Sequence, residues 1–564
     1  MYNFIKCAVL CVIPAIIATP IAAKDIQKPK LILQITVDQL RGDLPWRYKD
    51  RLGENGFRYL MENGIVYRNA HHSHANTETI VGHSSLATGA TPAKHGMIGN
   101  VWLDRVSGEL TYNIEDARYP IIGADAGVDK STEIDSTQRT ARSDGRSPSR
   151  ILVSTFSDEL NLSQGGQAKV FGVSIKDRGA ISMAGHTGKA FWFSKKSGEF
   201  ITSSFYYDKY PDWVAQFNAT NPVMQYVGKS WDLMYDKGSY LFGGSDDRPY
   251  ETTFPGYGRT FPHAYGKRED KYFTTFLTMG PVGDHLTLDF AKELIKNEDI
   301  GLDAVPDYLS ISFSVTDYVG HIFGPSSLEA EDNILQLDRT LAELFAYIDD
   351  NVGLDQTLIV LSADHGGPEA PEYLSELGFE ASYIDPESFD KAGAISALKE
   401  RFGIGEELIS TYYHPYLYLN REAIEKQGLD MLEVEQAVAE EISKFDGVAL
   451  AVSSSALASG QLPDTPLTRS ILNNYNPKRS GDIYLVFDPN RFINDFDGLT
   501  VAATHGSPWS YDTYVPIMFA GAGITPSQVY RHVEPLAIAP TLSLIVGGKP
   551  PSGSTGEVLE EVWQ

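Results

Sequence analysis

Residues 31–38 read LILQITVD, a run of apolar and β-branched residues that ends on a carboxylate. Four other stretches have the same character: AKVFGVSI (168–175), DYLSISFS (307–314), TLIVLSAD (357–364) and YVPIMFAG (514–521). Near-continuous apolar runs of this length read as strands buried on both faces, the habit of a parallel sheet. Helical patterns lie between several of them. One covers about 285–296. Another follows Pro325, where Ser326 to Glu329 resembles a capping box and apolar residues recur at Ile334, Leu337, Leu341, Leu344, Phe345 and Ile348. Strands alternating with helices predict an α/β fold with a central, mostly parallel sheet flanked by helices.

Two regions interrupt the rhythm. Residues 185–280 are rich in Tyr, Phe, Trp, Gly and Asp with little helical periodicity, and residues 385–490 carry a helix near 430–445 and strand-like pieces such as GDIYLVFD. Both read as cap insertions over the sheet's carboxyl edge, where open α/β sheets bind ligands. The catalytic core is then expected in three parts, 24–184, 281–384 and 491–564.

The chain has 564 residues, 42% of them hydrophobic and 21% charged, which suits a globular protein with a sizeable core. Its formal net charge of −27 argues against nucleic acid or anionic membrane as a partner of the general surface. An anionic substrate would need a locally positive pocket. Residues 1–23 have a signal-peptide pattern: Lys6, an apolar stretch over 7–19, and the small-residue site Ile21-Ala22-Ala23. The expected location is therefore periplasmic or secreted, with no stable membrane insertion after cleavage. Both cysteines, Cys7 and Cys11, fall in that leader. The mature chain would have neither a disulfide nor a thiolate ligand, so any metal site must use His and carboxylate.

Polar residues gather where strands end. Asp38 ends the first; Asp317 and His321 follow DYLSISFSVT; Asp364 and His365 end TLIVLSAD; His505 lies in ATHGSPW. Three aspartates and three histidines suit Zn²⁺, and divide into two three-ligand sites with an open position each. Two such ions about 4 Å apart stabilise the attacking and leaving oxygens of a phosphoryl transfer. The segment HANTETIVGHSSLATGATPAKHGMIGN (74–100) reads as a turn-rich loop entering a helix, whose start favours a phosphoryl group. Thr77, Thr79, Ser84, Ser85 and Thr88 all qualify there as nucleophiles on chemistry alone. Lys176 and Arg178 follow AKVFGVSI, and at i and i+2 of an extended chain they would aim two cations the same way.

The set resembles the alkaline phosphatase superfamily, and within it the PafA-type bacterial alkaline phosphatases. The pieces that carry the likeness are VDQLRGD, TIVGHSSLATGATPAKHGMIGN, SIKDRGAI, TDYVGHIFGP, SADHGG and THGSPWSYDTYVPI, in the family's order. Ile80-Val81 stands where many relatives have a proline before Gly-His. The resemblance implies that Thr79 is the nucleophile and a metal neighbour, and that Asn100, Lys176 and Arg178 bind the phosphoryl oxygens. Asp317, His321 and His505 would hold one Zn²⁺, and Asp38, Asp364 and His365 the other, giving two Zn²⁺ per chain. The implied activity is hydrolysis of small-molecule phosphate monoesters through a phosphothreonine, for broad phosphate scavenging; a monomer is expected because nothing in the sequence suggests a dimer seam. The alternative is a phosphodiesterase or nucleotide pyrophosphatase of the same superfamily. Lys176 and Arg178 favour the monoester, whose dianion benefits from two extra cations.

Overall fold

The structure, a computed structural model, describes residues 28–123, 127–493, 495–496 and 499–563; the leader expected over 1–23 lies outside the described residues. Ten strands form the central sheet: β1 (Leu31–Val37), β2 (Ile65–His71), β3 (Ile121–Ile122), β4 (Val170–Ser174), β5 (Lys189–Ser194), β6 (Glu199–Ser203), β7 (Asp307–Phe313), β8 (Thr357–Ser362), β9 (Tyr514–Gly521) and β10 (Ser527–Val529). Their order is β10-β2-β9-β8-β1-β7-β4-β5-β6-β3. The middle run β8-β1-β7-β4-β5 is parallel throughout.

Period-two alternation puts the sheet between two cores. Leu31, Leu33, Ile35 and Val37 of β1 face one core, together with Leu286 and Phe290 of α3 (Val282–Asn297) and Leu337 and Leu341 of α5 (Leu328–Asn351). Ile32 faces the other, with Leu358, Val360, Ile538 and Leu542. Helices α1 (Thr79–Thr88), α2 (Asp177–Ala184) and α4 (Val315–Phe323) start near the carboxyl ends of parallel strands and complete the frame of the site.

Four sequence expectations need correction. Strand β9 is antiparallel to both neighbours, β8 and β2; an apolar run tells burial but not direction. Strands β5 and β6 belong to the central sheet, so the departure from the core expected at 185 begins only after Ser203. Helix α5 is capped by Ser327, whose hydroxyl accepts from Ala330 N–H at 3.0 Å, while Glu329 turns inward to the ring of His263 instead of closing a box. The strand before Lys176 ends at Ser174 and Arg178 is already helical, so the two cations do not share an extended segment.

Within 385–490, the strands Ile409–Tyr413, Tyr416–Leu419, Val448–Ser453 and Ile483–Phe487 form a separate four-stranded sheet. It encloses its own core with the helix Met431–Ile442, through Val434, Val438 and Ile442. The segment after Ser203 reaches α4, where Thr252 N–H donates to Ile322 O at 2.8 Å.

Candidate active site

The polar residues singled out from the sequence converge at the carboxyl edge of the parallel strands. Asp38 follows β1, and its N–H donates to Phe313 O of β7 at 2.9 Å. Asp364 and His365 follow β8, and Asp317 and His321 lie on α4 directly after β7. His505 precedes its strand instead of following it. Because β9 runs antiparallel, its amino end lies at the carboxyl edge of the others, and that reversal brings His505 to the same place.

Two compact groups of ligand-type atoms result: Asp38, Asp364 and His365, and Asp317, His365 and His505. Asp317 Oδ1 is 3.3 Å from His321 Nε2 and 3.3 Å from His505 Nε2. His365 Nε2 is 3.4 Å from both Asp38 Oδ1 and Asp364 Oδ2. In all three histidines Nδ1 faces a backbone carbonyl at 2.8 Å: His321 to Ala503 O, His365 to Gly366 O and His505 to Thr77 O. A carbonyl only accepts, so each Nδ1 carries the proton and each Nε2 presents a lone pair inward. Asp38 Oδ1, Asp317 Oδ1 and His365 Nε2 are buried without a hydrogen bond. Unpaired acceptors this deep are costly unless a cation completes them. The donor set, imidazole nitrogens and carboxylate oxygens without sulfur, fits divalent zinc.

Burial depresses the His365 imidazole, yet the Asp364 and Asp38 carboxylates overcome it and hold it up at about 9. The same carboxylates thus also favour a second proton on His365, which a metal ion at Nε2 would displace. Burial and the charge of Asp38 push Asp364 upward. Asp38 and Asp317 are held well below the usual carboxylate range: burial opposes this, and the Lys176 ammonium outweighs it. Lys176 Nζ lies 2.8 Å from Asp38 Oδ2 and also contacts Asp317 Oδ2, so it bridges the two groups.

Thr79 is the first residue of α1 and is buried. Its Oγ1 accepts from Arg178 Nη2 at 3.2 Å. Of the other hydroxyls that qualified from sequence, Thr77 donates to Ser507 O at 2.9 Å, Ser85 pairs with His95 at 3.1 Å and Thr88 donates to Ser84 O at 2.6 Å. Asn100 Oδ1 accepts from Ile80 N–H at 3.1 Å, which fixes its amide at the helix start beside Thr79. Glu78 holds that corner, accepting from Asn100 N at 2.9 Å and Asn76 Nδ2 at 2.8 Å.

Two residues outside the sequence reading support these groups. Asp135 Oδ2 accepts from Arg178 Nη1 at 2.6 Å, leaving Nη2 aimed at Thr79. His83, one turn after Thr79, has Nδ1 2.9 Å from Thr79 O and 3.0 Å from Asp364 Oδ2, and its Nε2 meets Ser312 Oγ at 2.9 Å. Read alone, Asp135 is an ordinary cap, which it also is, accepting from Thr137 N–H. For His83 the only signal is its place in the nucleophile segment.

The family model for type I phosphodiesterase / nucleotide pyrophosphatase matches residues 32–508. The chain is 36% identical over 545 residues to a calcium-transporting ATPase of Myroides odoratus, covering 96% of each. It is 33% identical over 540 residues to alkaline phosphatase PhoV of Synechococcus elongatus, covering 95% of this chain and 93% of that one. With alkaline phosphatase PafA of Elizabethkingia meningoseptica the identity is 32% over 545 residues, 95% of each chain. The crystal structure of PafA matches with a TM-score of 0.86, covering 96% of this chain and 100% of that one.

Proposed function

The chain belongs to the type I phosphodiesterase / nucleotide pyrophosphatase family, within the alkaline phosphatase superfamily, and from that premise we propose that it is an alkaline phosphatase: it hydrolyses phosphate monoesters to an alcohol and inorganic phosphate. The observation that carries this reading is the pair of buried cations beside the nucleophile, Arg178 on Thr79 Oγ1 and Lys176 between Asp38 and Asp317. A monoester presents a dianion that gains from both. A diester has one charge fewer, and its second substituent would need the space they fill.

Asp38, Asp364 and His365 would hold one zinc ion and Asp317, His321 and His505 the other, supplying positive charge that acidifies the Thr79 hydroxyl and neutralises the leaving oxygen. Thr79 Oγ1 bonds to phosphorus as the alcohol departs, giving a phosphothreonine. The Arg178 fork and the Asn100 amide donate to the non-bridging oxygens, and Lys176 adds a point charge. Asp135 keeps the Arg178 guanidinium from turning away. Water then cleaves the phosphothreonine, and two in-line displacements retain configuration at phosphorus.

The leader pattern supports a periplasmic or secreted location, and the family resemblance supports scavenging of phosphate from varied esters. Among the described residues no helix is long and apolar enough to cross a membrane. The deciding experiment compares kcat/KM of the zinc-loaded protein on p-nitrophenyl phosphate and bis-p-nitrophenyl phosphate. Preference for the monoester, abolished by Arg178→Ala, is expected. A preference for the diester would move the protein to the phosphodiesterase branch.

A further inference from the structure

Directly after β1, Gln39 adopts φ +63°. Among the described residues only three other non-glycines have positive φ, and they are Asn221, Asp299 and Asn490. Asn and Asp tolerate that region through their short side chains; glutamine has no such advantage, and glycine would be the unstrained choice. What holds Gln39 there is visible in its surroundings. Its backbone N–H donates to Asp364 Oδ1 at 3.1 Å, an oxygen that also accepts from His365 N–H at 3.0 Å. Its side chain fills the space against two glycines: a Cβ on Gly320 would fall 1.7 Å from Gln39 Oε1, and one on Gly367 would fall 3.0 Å from Gln39 Cδ. Gly320 immediately precedes His321 and lies one turn from Asp317 on α4. Gly367 lies two residues after His365, with its carbonyl held by Arg41 Nη1 at 2.9 Å.

We infer that Gln39 is a positioning residue, a buried spacer that sets the separation of the two metal-ligand groups. It is bonded in sequence to Asp38, bonded by its N–H to Asp364, and wedged between the backbones that carry Asp317 and His321 on one side and His365 on the other. Five of the six proposed ligands are thereby referred to one residue, two through its backbone and three through its side chain. Two ions cooperate in phosphoryl transfer only at about 3.5–4 Å apart, so a spacer at this point acts on the spacing that matters most. Both flanking glycines follow from the same demand, because a methyl group at either would compete with the carboxamide. The inference rests on the two-zinc reading above.

The test is zinc release from the purified, zinc-loaded protein into a chromogenic chelator, with metal content and melting temperature measured in parallel. Gln39→Gly removes the spacer and the backbone strain together, Gln39→Ala removes the spacer alone, and Gln39→Met keeps its bulk. Gln39→Gly and Gln39→Ala should both lose zinc roughly 10–100-fold faster, the range seen when groups that orient ligands are removed. Both should lose kcat with little change in KM, and Gln39→Gly should melt no lower than the wild type. Gln39→Met should release zinc at the wild-type rate. Wild-type release from Gln39→Gly would overturn the spacer role and leave only a backbone effect; rapid release from Gln39→Met would overturn it in favour of the amide group. Wild-type protein that takes up no zinc would overturn the two-metal reading, and the role of Gln39 with it.

Discussion

Thr79 and Arg178 are 99 residues apart in sequence and 3.2 Å apart between Oγ1 and Nη2. That contact sets one of the two cations proposed to favour a monoester directly on the proposed nucleophile. Replacing Thr79 by Ala removes the atom that bonds to phosphorus, and turnover should fall by at least about three orders of magnitude. Thr79→Ser keeps the hydroxyl and should retain most of the activity; a steady-state assay with both variants checks this. Asp135 offers a subtler test. It touches Arg178 rather than substrate, so Asp135→Asn should cost roughly 10–100-fold in kcat/KM on p-nitrophenyl phosphate through misplacement of the fork. The diester, which depends less on Arg178, should be much less affected. Equal losses on both esters would mean that Asp135 only holds the fold. At this scale legibility was uneven. Asp364-His365 stands out because two metal-ligand types adjoin at a strand end. Asp135 carries no such mark, because a carboxylate that caps a short helix looks the same whether or not an arginine lies behind it.

Helix α1 approaches the end of β8 more closely than a side chain would allow. A Cβ built on Gly82 would lie 1.9 Å from Asp364 O, an atom of the backbone that cannot step aside. Gly82→Ala must therefore push α1 away from the strand end that carries Asp364 and His365. Overpacking of this kind costs typically about 1–3 kcal/mol, and the variant should melt lower and hold less zinc than wild type. Gly238→Ala is the control, since a Cβ there meets nothing within 4 Å; it should leave both quantities unchanged. The elements themselves were largely readable, because apolar runs such as LILQITV and TLIVLSAD have few other uses. What the runs do not carry is direction and partner. YVPIMFAG is as apolar as its neighbours, and only pairing distinguishes an antiparallel β9. The strands KAFWFS and EFITS sit at the start of an aromatic-rich stretch, so composition concealed that they extend the central sheet.

Across the whole molecule, the segment after Ser203 meets α5 at several points, through Asp332 and Glu331 and also where groups from 251, 263 and 329 come together. Glu251 and Glu329 are both buried, each has an oxygen without a hydrogen bond, and the His263 ring lies 3.1 Å from Glu329. No sequence pattern announces this junction, since an isolated Glu in a loop and one in a helix are each ordinary surface residues until the fold buries them. Burial, followed by the charge of Glu329, raises Glu251 from 4.5 to about 9. Below 4.5 the folded and unfolded chains both hold this proton. Between 4.5 and about 9 the folded chain keeps it while the unfolded chain has released it, so stability falls as pH rises. Above about 9 the loss is complete. The limiting slope is about 1.4 kcal/mol per pH unit. Alkaline pH is therefore where this junction is weakest. Glu251→Gln has no proton to lose, and its melting temperature relative to wild type should climb steadily from pH 5 to pH 9 and then level off. Parallel melting curves across that window would mean that Glu251 is ionised and solvated in the folded protein, and that the segment is held to α5 by its other contacts, among them those of Trp231 and Tyr240 to Asp332 and of Leu241 and Phe242 to Glu331.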